Sequence, residues 1–210
     1  MPTPQAVKAP RARMTGAERR EQLIEVARAL FAERGFDGSA IEEVANRAAV
    51  SKPVVYEHFG GKEGLYAVVV DREVSVLLSM MREALTAGSS RELLEQAAVA
   101  LLGYVETRPD GFRILVRDSP IGTSASFRTI IGDVASRVEG ILVDAFNRRG
   151  LDPATAPMYA QMLVGMVGTT GQWWLDTRRP DRHVVAAHLV NLAWNGLSGL
   201  EPQPELITRG

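Results

Sequence analysis

Along nearly the whole chain apolar residues recur at every third or fourth position, and no stretch alternates with the period of two that a strand requires. Such a pattern leaves helices as the way to bury the apolar stripe, and capping signals divide it into segments. Thr15 and Glu18 make a capping box ahead of Leu23, Ile24, Ala27, Leu30 and Phe31, and Gly35 stops that helix. Ser39 with Glu42 repeats the box before Ile41, Val44, Ala45 and Ala48. Ser51 is the expected N-cap of a third, short helix, with Pro53 in a first turn where its missing amide hydrogen costs little. From Lys62 the stripe continues through Leu65, Val68, Val69, Val74, Leu77, Leu78 and Met81 to Gly88. Ser89 and Glu92 open another helix, closed by Arg108 and Pro109, and a brief segment follows around Phe112 and Leu115. Residues 123–149 keep the period and end on Arg148, Arg149 and Gly150. Asp152 and Pro153 start a helix expected to reach about Thr177, and Asp181 starts a last one to about Leu197. The expectation is an all-α chain of about nine helices with no internal repeat.

Composition narrows the class. With 210 residues, 46% hydrophobic and 23% charged, the chain has the makings of one large or two modest globular domains. The absence of cysteine removes disulfides, thiolate zinc sites and a thiol nucleophile together, and suits a reducing cytoplasm. No signal peptide is evident, and no run reaches the roughly 18 apolar residues of a membrane span. The expectation is a soluble cytoplasmic protein without a membrane partner. A net charge of -1 argues against indiscriminate nucleic-acid binding. Positive charge is instead local: residues 1–62 hold ten Lys plus Arg against eight Asp plus Glu. Lys8, Arg11 and Arg13 lie in a first segment without acids, expected as a disordered basic arm over residues 1–15 that can follow a phosphate backbone or simply aid solubility.

Two short helices joined by a tight turn and backed by a longer one make the helix-turn-helix arrangement, here expected over about 39–59. The residues 51–62, SKPVVYEHFGGK, give it chemistry. Ser51 and Lys52 stand at a helix N-terminus that already favours phosphate, and Tyr56, His58 and Lys62 add further donors. Ser39 is grouped with them as a hydroxyl at the start of the preceding helix. Phosphate contacts orient without reading sequence, so base reading falls to Lys52, Pro53, Val54 and Arg47. The alternative for Tyr56 and Phe59 is a place in the core, with the lysines merely solvated; a buried Tyr56 ring with an exposed hydroxyl satisfies both.

On these residues the segment from 16 to about 65 resembles the DNA-binding domain of the tetracycline-repressor (TetR) family. Gly35, Phe36, Ser39, Val50, Ser51, Lys52, Tyr56, His58, Phe59, Lys62, Glu63 and Leu65 meet its pattern. The departure is Pro53 and Val54, where the family often carries glycine and a small hydroxyl residue, so base contact there is apolar in character. The resemblance implies an N-terminal three-helix DNA-binding domain over 16–65 and a helical effector-binding and dimerisation domain over 66–210. It also implies a homodimer on a pseudo-palindromic, double-stranded operator, a small-molecule effector, and a repressor that the effector releases.

For the body, Gly165, Gly168 and Gly171 recur every third residue of one helix, and Val184, Val185, Leu189, Leu192 and Leu197 make the last helix too apolar to face water. These residues suggest a dimer interface, with packing inside one chain as the alternative. Met80, Met81, Tyr104, Phe112, Phe127, Met162, Met166, Trp173 and Trp174 offer adaptable or aromatic pocket surface, or ordinary core. Arg113, Arg117 and Asp118 suit an acidic ligand or an internal ion pair. No nucleophile motif, phosphate loop or dinucleotide fingerprint occurs, and His183 and His188 stand five apart, so they diverge on a helix rather than chelate. Neither an enzyme, a metal site nor a cofactor is expected. The competing reading from another class is a ligand-independent architectural or protein-interaction module that keeps the helix-turn-helix shape.

Overall fold

The computed structural model describes residues 14–117 and 125–204, without the side chains of Ser90, Arg117, 125–135 and Arg137. Nine α-helices occur among the described residues: α1 (Gly16–Arg34), α2 (Ile41–Arg47), α3 (Lys52–Phe59), α4 (Lys62–Ala84), α5 (Ser90–Thr107), α6 (Pro109–Arg117), α7 (Ala125–Arg149), α8 (Ala156–Thr177) and α9 (Arg182–Ser198). No strand is present among them.

Local chemistry sets most of the ends. Thr15 and Ser89 form complete capping boxes with Glu18 and Glu92, each side chain bonding the other residue's backbone. The Ser39 box does not form. The Ser39 side chain is buried and its hydroxyl donates to the Gly35 carbonyl at 2.6 Å, closing the end of α1, while Ala40 is the N-cap of α2. A hydroxyl folded back onto α1 is not available to phosphate, which corrects the expectation for Ser39. A short 3-10 turn at Pro153–Thr155, capped by Asp152, precedes α8, so the expected single helix from Pro153 begins three residues later.

The first three helices enclose Leu23, Ala27, Leu30, Val44, Ala45 and Val55, all nearly inaccessible. They are fastened to α4 through aromatic rings. Tyr66 on α4 meets Phe31 edge-on at 5.1 Å and Phe36 at 4.9 Å, geometry that adds to the area buried. Behind this head, α4 runs into the body between α1, α5, α6 and α7, α5 packs on α9, and α7 packs on α8. The main core is continuous from Leu23 to Val190, with a smaller cluster of Leu142, Phe146, Leu151, Ala156 and Ala160 between α7 and α8.

Between α2 and α3 the chain reverses through Ala49 at φ 53, the left-handed region, and Val50 N–H donates to the Ala45 carbonyl at 2.9 Å. A Cβ in this region crowds the following carbonyl, at a cost of roughly 1–2 kcal/mol that glycine escapes. Ala49→Gly is therefore expected to stabilise the fold by about 1 kcal/mol, seen as a rise of about 2–4 °C in the thermal midpoint. A lower midpoint contradicts the left-handed turn.

Candidate nucleic-acid interface

Val55 faces the core of the head, completely buried, and this orients the rest of α3. Ser51, Lys52, Pro53 and Tyr56 are exposed, and Val54, His58 and Lys62 are half-buried. Ser51 is the N-cap in extended conformation, and its side chain makes no capping bond. Gly60, at φ 73, turns the chain tightly so that Lys62 begins α4 directly after α3. Tyr56 is not a core ring: 45% of it is accessible. Lys62 lies 4.3 Å from the centre of the Phe36 ring, and Phe59 is half-buried against the core with Arg20 over its face at 5.1 Å. The structure thus brings Ser51, Lys52, Pro53 and Tyr56 to the exposed side of the α3 segment, with His58 half-buried beside them and Lys62 half-buried at the adjoining start of α4.

The cations there have partners. Lys52 bonds Glu42 of α2 and lies 5.5 Å from the centre of the Tyr56 ring. That bond draws the Glu42 carboxyl below its usual range and lifts the Lys52 ammonium. Arg47 is committed to Glu33 at 2.9 Å and Glu43 at 2.8 Å, with Arg34 also on Glu43 at 2.6 Å. Its guanidinium serves the junction of α1 and α2, a role that its expected place among the base readers did not include. Arg11 and Arg13 lie outside the described residues.

The residues expected to line a pocket are spread over the buried core, the surface and two separate clefts. Tyr104, Phe112 and Trp174 are buried core, and the Trp174 indole N–H donates to the Pro180 carbonyl at 2.7 Å. Met80 and Met81 are half-buried on α4. Met162 and Trp173 point outward from α8, each about half-exposed, at 56% and 51%. Met162 and Met166 line an apolar surface groove of about 240 Å³ between α8 and α9, together with Leu192 and Leu197. Arg113 lines a separate polar cleft of about 340 Å³ with Ala29, Ala32, Glu33 and Asp110, and it pairs with Asp110 at 3.4 Å. The side chains of Arg117, Asp118 and Phe127 are outside the described residues.

The three spaced glycines also part company. A step of three residues turns a helix by about 60° short of a full turn, so 165 and 171 face different ways. A Cβ on Gly171 would stand 2.9 Å from the Phe112 ring, which makes Gly171 an internal contact with α6, whereas Gly165 and Gly168 border open space. Val185 and Leu189 are buried against the chain's own core, while Leu192 (64% accessible) and Val184 are exposed. The interface expectation for Val185 and Leu189 is corrected accordingly: α9 turns them inward to α5 and leaves the other face apolar.

Sequence reasoning passed over one cluster. Glu73 on α4 is entirely buried, yet it stands seven residues after Tyr66 and four after Val69, in register with the buried stripe. An acid at such a position requires a cation, and that was the legible signal. Arg108 grips both its oxygens, at 2.6 and 2.9 Å, and the Tyr104 hydroxyl donates to it at 3.0 Å. Arg28 of α1 stands 3.8 Å from the same carboxylate and 3.4 Å from Asp110 of α6. Gly111 belongs to the arrangement, because a Cβ there would lie 2.1 Å from a Glu73 oxygen. One carboxylate therefore joins α1, α4, α5 and α6 where head meets body.

Set beside known proteins, the chain matches the pattern of "Bacterial regulatory proteins, tetR family" over residues 23–69. It matches "Tetracyclin repressor-like, C-terminal domain" over 90–196. It is 33% identical over 189 residues to the transcriptional activator FasR of Mycolicibacterium smegmatis, covering 89% of this chain and 86% of the relative. The transcriptional repressor BdcR of Escherichia coli is 33% identical over 94 residues, 41% of this chain and 48% of the relative. The crystal structure of a TetR-like transcriptional regulator from Rhodococcus sp. RHA1 superposes with a TM-score of 0.73 at 25% identity, covering 90% of this chain and all of the other. The fold is that of a helix-turn-helix regulator. This chain belongs to the TetR family of bacterial regulatory proteins, and is a DNA-binding transcriptional regulator rather than an enzyme. No helix among the described residues is long and apolar enough to cross a membrane.

The buried cluster has a measurable consequence. Burial pushes the Glu73 carboxyl up, but the Arg108 bonds, the Tyr104 bond and the Arg28 charge outweigh it and hold the group below the usual carboxylate range. Because the folded value is the lower one, the stabilisation is fully present above about pH 5 and is lost as pH falls below about 4. Arg108→Ala, which leaves the carboxylate without its main partner, is expected to destabilise the protein by about 3 kcal/mol at neutral pH and to flatten its acid-side stability profile. Denaturant unfolding of both proteins between these pH values checks this, and an unchanged profile contradicts it.

Proposed function

We propose that the chain acts as a homodimer that reads a pseudo-palindromic operator, with residues 16–65 as the DNA-reading head and 66–210 as the effector-binding and dimerising body. In this reading α3 enters the major groove. Ser51, Tyr56, His58 and Lys62 meet phosphates, Lys52 and the apolar pair Pro53 and Val54 meet base edges, and Arg11 and Arg13 extend the phosphate contact. The observation that carries it is the orientation of α3: Val55 is locked into the core, so Ser51, Lys52, Pro53 and Tyr56 face outward together. The exposed apolar face of α8 and α9, with Met158, Met162, Val184 and Leu192, supports the partner being a second copy. Two heads held about 34 Å apart read half-sites one helical turn apart.

A small ligand in the body regulates the dimer through α4, which starts in the head at Lys62 and carries Glu73 at the junction. Any change that shifts α6 displaces Asp110 and the backbone at Gly111, and so alters the seat of Arg28 and Glu73. The default output is repression by occupancy of the operator. A second reading, activation, is supported by the FasR relative, named an activator and similar over most of this chain.

In-vitro selection on random duplex DNA is expected to return a palindromic consensus at about 0.15 M salt, and recovery of none defeats the proposal. Lys62→Ala and Tyr56→Phe are expected to weaken binding to all sequences alike, with Lys62→Ala reducing the salt slope by about one unit. Loss of sequence preference at constant affinity contradicts those roles.

A further inference from the structure

From Ser39 to Lys62 the charged side chains are Arg47, Lys52 and Lys62 against Glu42, Glu43 and Glu57, so the DNA-reading element carries no net charge. This matters because phosphate attraction is indifferent to sequence and supplies essentially all of non-specific binding. Two of the three cations are also held by carboxylates of the same chain: Arg47 by Glu33 and Glu43, and Lys52 by Glu42.

The Lys52 pair differs from the other. Lys52 is the first residue of α3, at the end that leads into the groove in the proposed complex, and Glu42 is the second residue of α2. The pair therefore spans the two helices of the motif. Both side chains are about half-exposed, and exposed pairs of this kind add little to stability. Nor does the motif need it, since Ile41, Val44, Ala45 and Val55 already pack the two helices together. The effect of the pair falls instead on the ammonium. A free lysine sweeps a wide arc on its four-carbon stem and meets any phosphate within reach. Here Glu42 on one side and the Tyr56 ring on the other confine it to one place.

We propose that Glu42 is a specificity-determining residue for DNA binding: it positions Lys52 for one contact on the operator and withholds that charge from the backbone of other sequences. The proposal rests on the operator-binding reading above. On a matching site α3 docks by its base contacts and the pair persists. On a random duplex, Lys52 gains a phosphate only by leaving Glu42, whose carboxylate then stands uncompensated near the DNA. The carboxylate penalises wrong sequences more than it assists the right one.

The test uses the full chain with two duplexes of equal length, the selected operator and a random sequence, titrated across a range of potassium chloride. Glu42→Gln keeps the shape and removes the charge at an exposed position. It is expected to tighten binding to the random duplex about two- to five-fold at about 0.15 M salt and to steepen the salt slope there by about one unit. Operator affinity changes less, so the ratio of operator to random binding falls. In a Lys52→Gln background the same substitution relieves only the general repulsion between a carboxylate and DNA, so it is expected to act alike on both duplexes and to leave the ratio of operator to random binding unchanged. An equal change on both duplexes with Lys52 present, an unchanged slope, or a fall in that ratio without Lys52 overturns the proposal. A wild-type chain that selects no palindrome overturns it together with the operator reading, and that first measurement tells the two failures apart.

Discussion

A carboxylate with no access to water has to be paired, and in this protein that requirement fixes how the head sits on the body. Glu73 lies in the apolar seam along α4, where an isolated charge carries a large desolvation penalty. The groups that relieve it come from different helices: Arg28 from α1, Tyr104 from α5, and Arg108 from the junction of α5 and α6. Each has to arrive at one small volume, so the helices that carry them have little freedom to slide. Gly111 makes the point by what it lacks, since any side chain there would occupy the space of the carboxylate. Hydrophobic contact alone tolerates such sliding, because it is roughly proportional to area and has no direction. Charge and hydrogen-bond geometry supply the direction.

The same seam bears on regulation. α4 passes from the head, where Tyr66 meets Phe31 and Phe36 edge-on, to the body, where Glu73 meets Arg108. The two contacts are seven residues apart, two helical turns, on one continuous rod. A rod clamped at two places transmits a tilt rather than absorbing it, which is why α4 is the route by which an event in the body can reach α3 in the proposed mechanism.

The DNA-reading element follows a different economy of charge. Its outward face is built by one inward residue, Val55, whose burial turns Ser51, Lys52 and Tyr56 toward solvent. Yet the lysine and arginine on α2 and α3 are answered by Glu33, Glu42 and Glu43. In the proposed complex, a surface so arranged draws its discrimination from the fit of α3 and from apolar contact at Pro53 and Val54 more than from bulk attraction. The protein's overall charge of -1 agrees with that balance.

The order and extent of the helices, the two capping boxes at Thr15 and Ser89 and the helix-turn-helix were all legible in the chain, because periodicity, caps and turns are local properties of a few consecutive residues. The outward set on α3 was legible for the same reason. Where reading failed, the deciding contact was made between segments rather than within one helix. Ser39 had the residues of a cap, but the carbonyl of Gly35 took its hydroxyl. Val185 and Leu189 were apolar enough for an interface, but α5 was there to cover them. Arg47 and Lys52 were cations, and the packing of α1, α2 and α3 brought Glu33 to the one and Glu42 to the other. Glu73 was one acid among many until the fold set Arg108, thirty-five residues on, against it. Sequence determined which segments coil and which faces are apolar. Tertiary structure decided which polar groups meet from different helices, since that depends on how the helices cross and not on spacing along any one of them.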